Sequence, residues 1–328
     1  MILILILNSI VMSILRKTLL ILSLFVSVVS YSQEIKRPAI TGIAHFALYS
    51  SNFDNTKDFH TGFLGYDIPY ELSFSNDGVV SMSFVKINDR QLVEIFREKK
   101  QNDERFFHFG IETDDAEAMR KYLESKGYKV PNSTPKGRIG NLNYFVDDPN
   151  GTICEIVEYG ANGATVNNKG KNLPDSRISA RMSHVGFMVP DLDKALEFYC
   201  GVLGFKEIWR GSADGKNVTW VHLQVPEGTD CIELMLYNKE LSKSTRGVYN
   251  HICLEVDNVD EAVEILNKRA LPKGCRHDNV KYGKNKKKQI NYYDCDGTRV
   301  EIMEAKTIDG KPVPSSSLPP LKYIKLEK

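Results

Sequence analysis

The sequence predicts an α+β chain of two halves built on one plan, each half holding two strand–helix–strand units. Three observations lead there. "KDFHTGFLGY" (Lys57–Tyr66) aligns with "LEFYCGVLGF" (Leu196–Phe205), and "DPNGTICEI" (Asp148–Ile156) aligns with "DCDGTRVEI" (Asp294–Ile302). The order His, Glu, His, Glu occurs twice, at His45, Glu94, His108 and Glu155 and again at His184, Glu233, His251 and Glu301. In both sets the first His and first Glu are 49 residues apart. Finally, each of the four later residues sits mid-way along a short apolar run, in "MSHVGFMV", "CIELMLY", "YNHICLEV" and "TRVEIMEA".

Side chains alternate faces along a strand, so each His or Glu points away from its strand's apolar side chains. Two imidazoles plus two carboxylates suit a divalent ion such as Zn, Ni, Co, Mn or Fe(II).

The elements follow in order. Ile40–Tyr49 reads as a strand and Asp54–Leu64 as a helix ending at Gly65. Val79–Ile87, Gln91–Arg97 and Phe106–Thr113 read as strands. Asp114 or Asp115 caps a helix that ends near Gly127, with Met119, Tyr122 and Leu123 on its inner face. Asn143–Val146 and Ile153–Tyr159 are strands around the turn "DDPNGT". A Gly- and Asn-rich stretch without periodicity then reads as a linker. The second half repeats the plan: strand Met182–Val189, helix Asp191–Leu203 closed by Gly204, and strands Thr219–Val225 and Cys231–Tyr237. Strand His251–Val256, helix Asn258–Arg269 and the turn "YDCDGT" before the Glu301 strand complete it. The expected boundaries are a leader at 1–32, domains at 38–160 and 180–306, a linker at 161–179 and a Pro/Ser-rich tail at 307–328.

The leader reads as a signal peptide. Arg16 and Lys17 precede the apolar run Leu19–Val29, and Ser30 and Ser32 are the small residues before a cut at Gln33. Met12 would serve as a start giving a leader of normal length. The expectation is an exported, periplasmic protein with no membrane attachment after cleavage. The six cysteines (Cys154, Cys200, Cys231, Cys253, Cys275, Cys295) form no CxxC pair, and Cys154, Cys231 and Cys253 lie inside strand-like runs as buried thiols. The balance of 43 basic against 42 acidic residues gives no general pull towards nucleic acid or membrane. The expected partner is a small-molecule substrate.

Secondary site residues follow from parity. His222 and Trp220 in "TWVHLQV" share a face that would line the second site, with His222 equally readable as a hydrogen-bonded structural histidine, and Tyr237 and Met235 share the face of Glu233. The basic stretch Arg276–Gln289 could close over that site and attract an anion, or be a solvated hairpin tip. His60 falls on the first helix, away from the site.

At these residues the chain resembles the vicinal oxygen chelate superfamily, which includes glyoxalase I, methylmalonyl-CoA epimerase, fosfomycin resistance proteins and extradiol dioxygenases. The segments that carry the resemblance are "SHVGFMVPDLDKALEFYCGVLGF", "NHICLEVDNVDEA" and "DCDGTRVEIME". Weaker echoes stand in "AHFALYSSNFDNTKDFHTGFLGY" and "DDPNGTICEIVE". The resemblance implies four βαβββ units paired two by two into two domains, each a cupped mixed β-sheet holding a metal. It also implies that ligands come from the first and last strands of each unit, which selects the same eight residues. It leaves open whether ligands pair within one chain or across a homodimer.

The activity it implies is metal-dependent proton transfer next to a carbonyl in a small oxygenated substrate, as an isomerase, epimerase or lyase. Glu301 is then the first choice of general base and Glu233 the second. An Fe(II) extradiol-type dioxygenase using His184, His251 and Glu301 is the alternative. Glu233 stands where such a dioxygenase usually has no ligand, which favours the four-ligand branch. A non-catalytic metal- or small-ligand-binding module is the third reading.

Overall fold

The computed structural model describes residue 12 and residues 35–100, 105–239, 241 and 247–324. The chain divides into two compact units, 1–36 and 37–328, and both sheets belong to the second. The leader expected at 1–32 lies, apart from Met12, outside the described residues. No helix among the described residues is long and apolar enough to cross a membrane.

The first half runs β1 (Ile40–Ser50), α1 (Phe53–Asp58), β2 (Asp67–Leu72), β3 (Met82–Lys86) and β4 (Leu92–Arg97). It continues with β5 (Phe106–Thr113), α2 (Ala116–Ser125), β6 (Leu142–Asp147) and β7 (Ile153–Glu158). A short helix α3 (Ala164–Asn167) lies in the connection. The second half runs β8 (Met182–Val189), α4 (Leu192–Leu196), β9 (Lys206–Gly211), β10 (Trp220–Gln224) and β11 (Cys231–Leu236). Then come β12 (His251–Val256), α5 (Val259–Leu266), β13 (Arg276–His277), β14 (Lys281–Tyr282), β15 (Lys287–Tyr293) and β16 (Arg299–Thr307).

Each half makes one sheet. The first has the order β2-β3-β4-β1-β5-β7-β6, the second β13-β15-β16-β12-β8-β11-β10-β9 with β14 on β15. In each, the first strands of two consecutive units pair antiparallel at the centre (β1 with β5, β8 with β12). The last strand of each unit flanks its own first strand in parallel. The units therefore pair as first with second and third with fourth, within one chain.

Several elements differ from the expectation. The helices Asp54–Leu64 and Asp191–Leu203 are α-helical only in their first turn or so. They widen into π turns at Phe59–Phe63 and Glu197–Val202. Gly65 (φ +84) and Gly204 (φ +77) then turn the chain through a left-handed conformation. Asp115, not Asp114, caps α2, accepting from Ala118 N at 2.8 Å. The second unit has only two strands after its helix, with a lone bridge Lys136–Leu142 before them. Pro131, Pro135, Gly137 and Gly140 explain this, because Pro lacks the donor and Gly the side chain that a strand needs. The linker is not loose. Lys86 Nζ donates to the carbonyls of Asn168 (2.6 Å) and Lys171 (2.8 Å), holding it against β3. The tail follows the second sheet, with Leu321 N donating to Val218 O at 2.9 Å.

One continuous apolar core joins both sheets. Phe187 stacks on Phe109 at 5.1 Å and on Phe106 at 6.0 Å. Tyr199 donates to Asp148 Oδ2 at 3.0 Å, and Tyr122 to Val202 O at 2.7 Å. The two cups thus open from a shared scaffold.

Candidate metal centres

Register alone brings the ligand-type residues together. In the first sheet Ala47 pairs with both Glu94 and His108, and Gly110 pairs with both His45 and Glu155. Two adjacent rows thus cross the sheet, each reading ligand, small residue, ligand. The second sheet repeats this, with Gly186 between Glu233 and His251 and Cys253 between His184 and Glu301.

In the first cup all four residues are buried, and one donor atom from each falls within 4.8 Å of the others. His108 Nε2 lies 2.8 Å from Glu155 Oε2 and 3.5 Å from Glu94 Oε2. His45 Nε2 lies 3.2 Å from Glu155 Oε2. Yet His45 Nε2, His108 Nε2 and Glu94 Oε2 are buried without a hydrogen-bond partner. These groups are near in distance but off in angle, as ligands converging on a common point would be. A divalent ion fits them. Asn143 Nδ2 donates to the outer oxygen of Glu155. Burial disfavours the imidazolium of His108, but Glu155 and Glu94 outweigh it and the pKa is raised to about 9. Burial alone would raise the Glu155 pKa, but His108 and His45 hold it well below the usual carboxylate range.

In the second cup the same four residues meet less evenly. His184 Nε2 and His251 Nε2 face each other at 3.2 Å. Glu301 Oε2 lies 3.4 Å from His184 Nε2, and Glu233 Oε2 lies 3.4 Å from His251 Nε2. Two overlapping trios converge, His184–Glu233–His251 and His184–Cys253–Glu301. His251 Nδ1 lies 2.8 Å from the Tyr249 carbonyl and 2.5 Å from Arg299 Nη2, while its Nε2 faces the centre. Burial and the Arg299 guanidinium lower the His251 pKa to about 3, so the ring is neutral. Burial would raise the Glu233 carboxyl, but the His222 hydrogen bond and the neighbouring histidines bring it to about 2. Gln289 Nε2 donates to Glu301 Oε1 at 2.5 Å.

The cups differ in lining. A cavity of about 250 Å³ lies over the first centre, walled by Leu72, Phe74, Met82, Phe84, Phe96 and Phe145, with Arg138 beside them. A cavity of about 260 Å³ lies over the second, walled by Trp209, Trp220, Lys281, Tyr282, Lys284 and Arg299. The basic stretch is a hairpin, β14 on β15, whose tip supplies Lys284 to the cavity.

Of the expected contact residues, Trp220 lines the second cavity. His222 stands behind Glu233, its Nε2 2.8 Å from Glu233 Oε1, and its ring edges against Trp209 at 5.3 Å. It is absent from the cavity wall and reaches it through Glu233. Tyr237 lines a different cleft, with Tyr49 and Phe106, and its ring meets Tyr323. The reason is that β11 ends at Leu236, so strand parity stops one residue short. His60 is buried in the first π turn, where desolvation lowers its pKa to about 3. Arg299, Gln289, Asn143 and Trp209 carried no signal of their own.

The comparisons agree with this geometry. The family model of the Glyoxalase/Bleomycin resistance protein/Dioxygenase superfamily matches residues 42–156 and 181–302. The chain therefore belongs to that superfamily, the vicinal oxygen chelate fold. It is 35% identical over 136 residues to the mitochondrial methylmalonyl-CoA epimerase of Homo sapiens, covering 38% of this chain and 74% of that one. A lactoylglutathione lyase of Arabidopsis thaliana is 26% identical over 207 residues, covering 61% and 67%. Among solved structures, a Mn(II)-bound glyoxalase from Novosphingobium aromaticivorans superposes with a TM-score of 0.62 at 16% identity, covering 88% and 87%. The 2,3-dioxygenase LapB from Pseudomonas sp. KL28 gives 0.63 at 18%, covering 85% and 98%. At these identities the structures speak for the fold alone. The sequence relatives are an epimerase and lyases, so the chain stands among enzymes.

Proposed function

We propose that the second cup is the active site of a divalent-metal-dependent enzyme moving a proton next to a carbonyl, as an epimerase, isomerase or lyase. The observation that carries this is the meeting at His184 of two trios, one with Glu233 and His251 and one with Cys253 and Glu301, beneath a cavity walled by Lys281, Lys284 and Arg299. A divalent ion held there supplies Lewis-acid polarisation of the substrate carbonyl. The cationic wall suits a substrate bearing a carboxylate or another anionic group. Trp209 and Trp220 form the apolar side and limit the access of water. Glu233 takes the proton from the neighbouring carbon and returns it to the other face or to the adjacent carbon. Glu301, the first choice that the resemblance implied, has its outer oxygen held by the Gln289 amide, whereas the partner of Glu233 is an imidazole that can itself carry a proton. Export to the periplasm and a homodimer remain part of the proposal.

The test is to incubate metal-loaded protein in D₂O with methylmalonyl-CoA, lactoylglutathione and a keto-sugar acid, and to follow the α-proton by NMR. Exchange of one substrate's proton, lost in Glu233→Gln, is the expected result. No exchange with any of the three, on protein that holds its metal, would contradict the reading.

A second reading is favoured by one observation. Glu233 Oε1 is bonded to His222, so His184, His251 and Glu301 could serve as the two-His-one-carboxylate set of an Fe(II) extradiol-type dioxygenase. Oxygen consumption with catechols on the Fe(II)-loaded chain separates the two.

A further inference from the structure

The two cups differ at the residue beside the first carboxylate. In the first sheet Phe84 of β3 is the cross-strand partner of Glu94. In the second, His222 of β10 is the partner of Glu233. The Phe84 ring offers no hydrogen bond and packs on Tyr70 at 4.6 Å. Both oxygens of Glu94 accordingly turn to the centre, Oε1 3.8 Å from His45 Nδ1 and Oε2 3.5 Å from His108 Nε2. Glu233 is split: Oε2 lies 3.4 Å from His251 Nε2 while Oε1 lies 2.8 Å from His222 Nε2. The last-strand carboxylates do not distinguish the cups, because Asn143 holds Glu155 and Gln289 holds Glu301 in the same way.

A buried carboxylate that leaves a metal must find donors elsewhere, or it becomes an unsolvated charge. Outside the centre, no donor among the described residues is hydrogen-bonded to Glu94, and its Oε2 has no hydrogen-bond partner. Glu233 has one at His222. His222 is itself held between the rings of Trp209 and His184, each 5.3 Å away.

We infer that His222 is a positioning residue that gives Glu233 a landing place off the metal, so that the second centre opens a coordination position and the first stays closed. This rests on the proposed function for its purpose. It stands apart in its test, which reads coordination rather than turnover.

The experiment uses the full chain carrying His45→Ala and His108→Ala, loaded with Mn(II), so that only the second centre holds metal. Metal stoichiometry and water-proton relaxation are measured together. The expected result is an exchangeable water at the ion, lost on adding His222→Phe with metal still bound, and retained with His222→Gln, which keeps a donor. In the reciprocal arm, His184→Ala/His251→Ala isolates the first centre, which shows no exchangeable water until Phe84→His is added. Unchanged relaxation in His222→Phe with metal bound would overturn the inference. Loss of the metal itself in His222→Phe would also overturn it, since His222 would then hold the centre rather than open it. A negative proton-exchange result with these relaxation changes intact would sink the proposed activity and leave the role of His222 standing.

Discussion

The first and second cups share a strand order and four ligand-type residues, and differ in which histidine leans across the sheet. In the first, the His45 ring lies over Gly110, where an added Cβ would come within 2.3 Å of it. In the second, the His251 ring lies over Gly186, with the corresponding approach at 2.0 Å. The glycine has changed rows: Ala47 and Gly110 in one sheet correspond to Gly186 and Cys253 in the other. With Cys253 in place of the glycine, His184 has no hole to lean into, and the Cys253 thiol becomes a neighbour of the centre. Burial, with the nearby Glu301, pushes that thiol's pKa well up, so it stays protonated. The comparison teaches that a duplicated metal site diverges through its small residues and its lining before it loses a ligand. One cup is apolar, with Glu155 alone held outward by Asn143; the other is cationic, with Glu301 held by Gln289 and Glu233 by His222.

The largest effect should come from the carboxylates themselves. Glu233→Gln is expected to lower turnover by about 10²–10⁴-fold, the range for losing a general base, while Glu94→Gln leaves turnover near that of the native chain. Steady-state kinetics with whichever substrate exchanges its proton checks this, and equal losses would erase the functional distinction between the cups. Next come the glycines. Gly186→Ala should empty the second centre and Gly110→Ala the first, each sparing the other. Elemental analysis of the two variants reads it directly, and metal retained in both would show that the ring positions are not needed.

A smaller effect is expected at the rim. Lys281→Gln with Lys284→Gln should raise KM for an anionic substrate several-fold, roughly 1 kcal/mol, with kcat little changed and the effect fading at high salt. Arg138→Gln at the first cup should leave both constants alone. The last concerns the matching turns and reads stability rather than turnover. Asp148 Oδ2 accepts from Tyr199, whereas Asp294 Oδ2 is buried without a partner. Burial raises the Asp294 pKa from 3.8 to about 7. Between those values the folded chain keeps a proton that the unfolded chain releases, so stability should fall as pH rises from 4 to 7 and level off above. Asp294→Asn should flatten that slope in denaturant titrations, and an unchanged slope would mean that Asp294 ionises normally.

The eight ligand-type residues were legible because strand period and internal repetition both act locally. Each His or Glu interrupts an apolar run, and two quartets in register leave few other arrangements. The central strands were legible for the same reason. The edge strands β2 and β9 were not: β2 is "DIPYEL", with Pro69 and two acids, and β9 is "KEIWRG", half exposed. The partners Asn143, Gln289, Arg299 and Trp209 depend on which strand lies beside which, and side-chain parity reports a face but not a neighbour. Parity put His222 on the face of Glu233, but the cross-strand register that sets it behind the carboxylate is a tertiary fact. Tyr237 shows the limit of parity, which ends where the strand ends.

The most direct test of two live and distinct centres is the metal content of the reconstituted chain beside His184→Ala/His251→Ala and His45→Ala/His108→Ala. The account predicts about two metals per chain in the first and about one in each double variant, with the fold retained. Proton-transfer activity should survive only where the second cup is intact. No metal in any of the three after reconstitution would contradict it, and so would activity that follows the first cup.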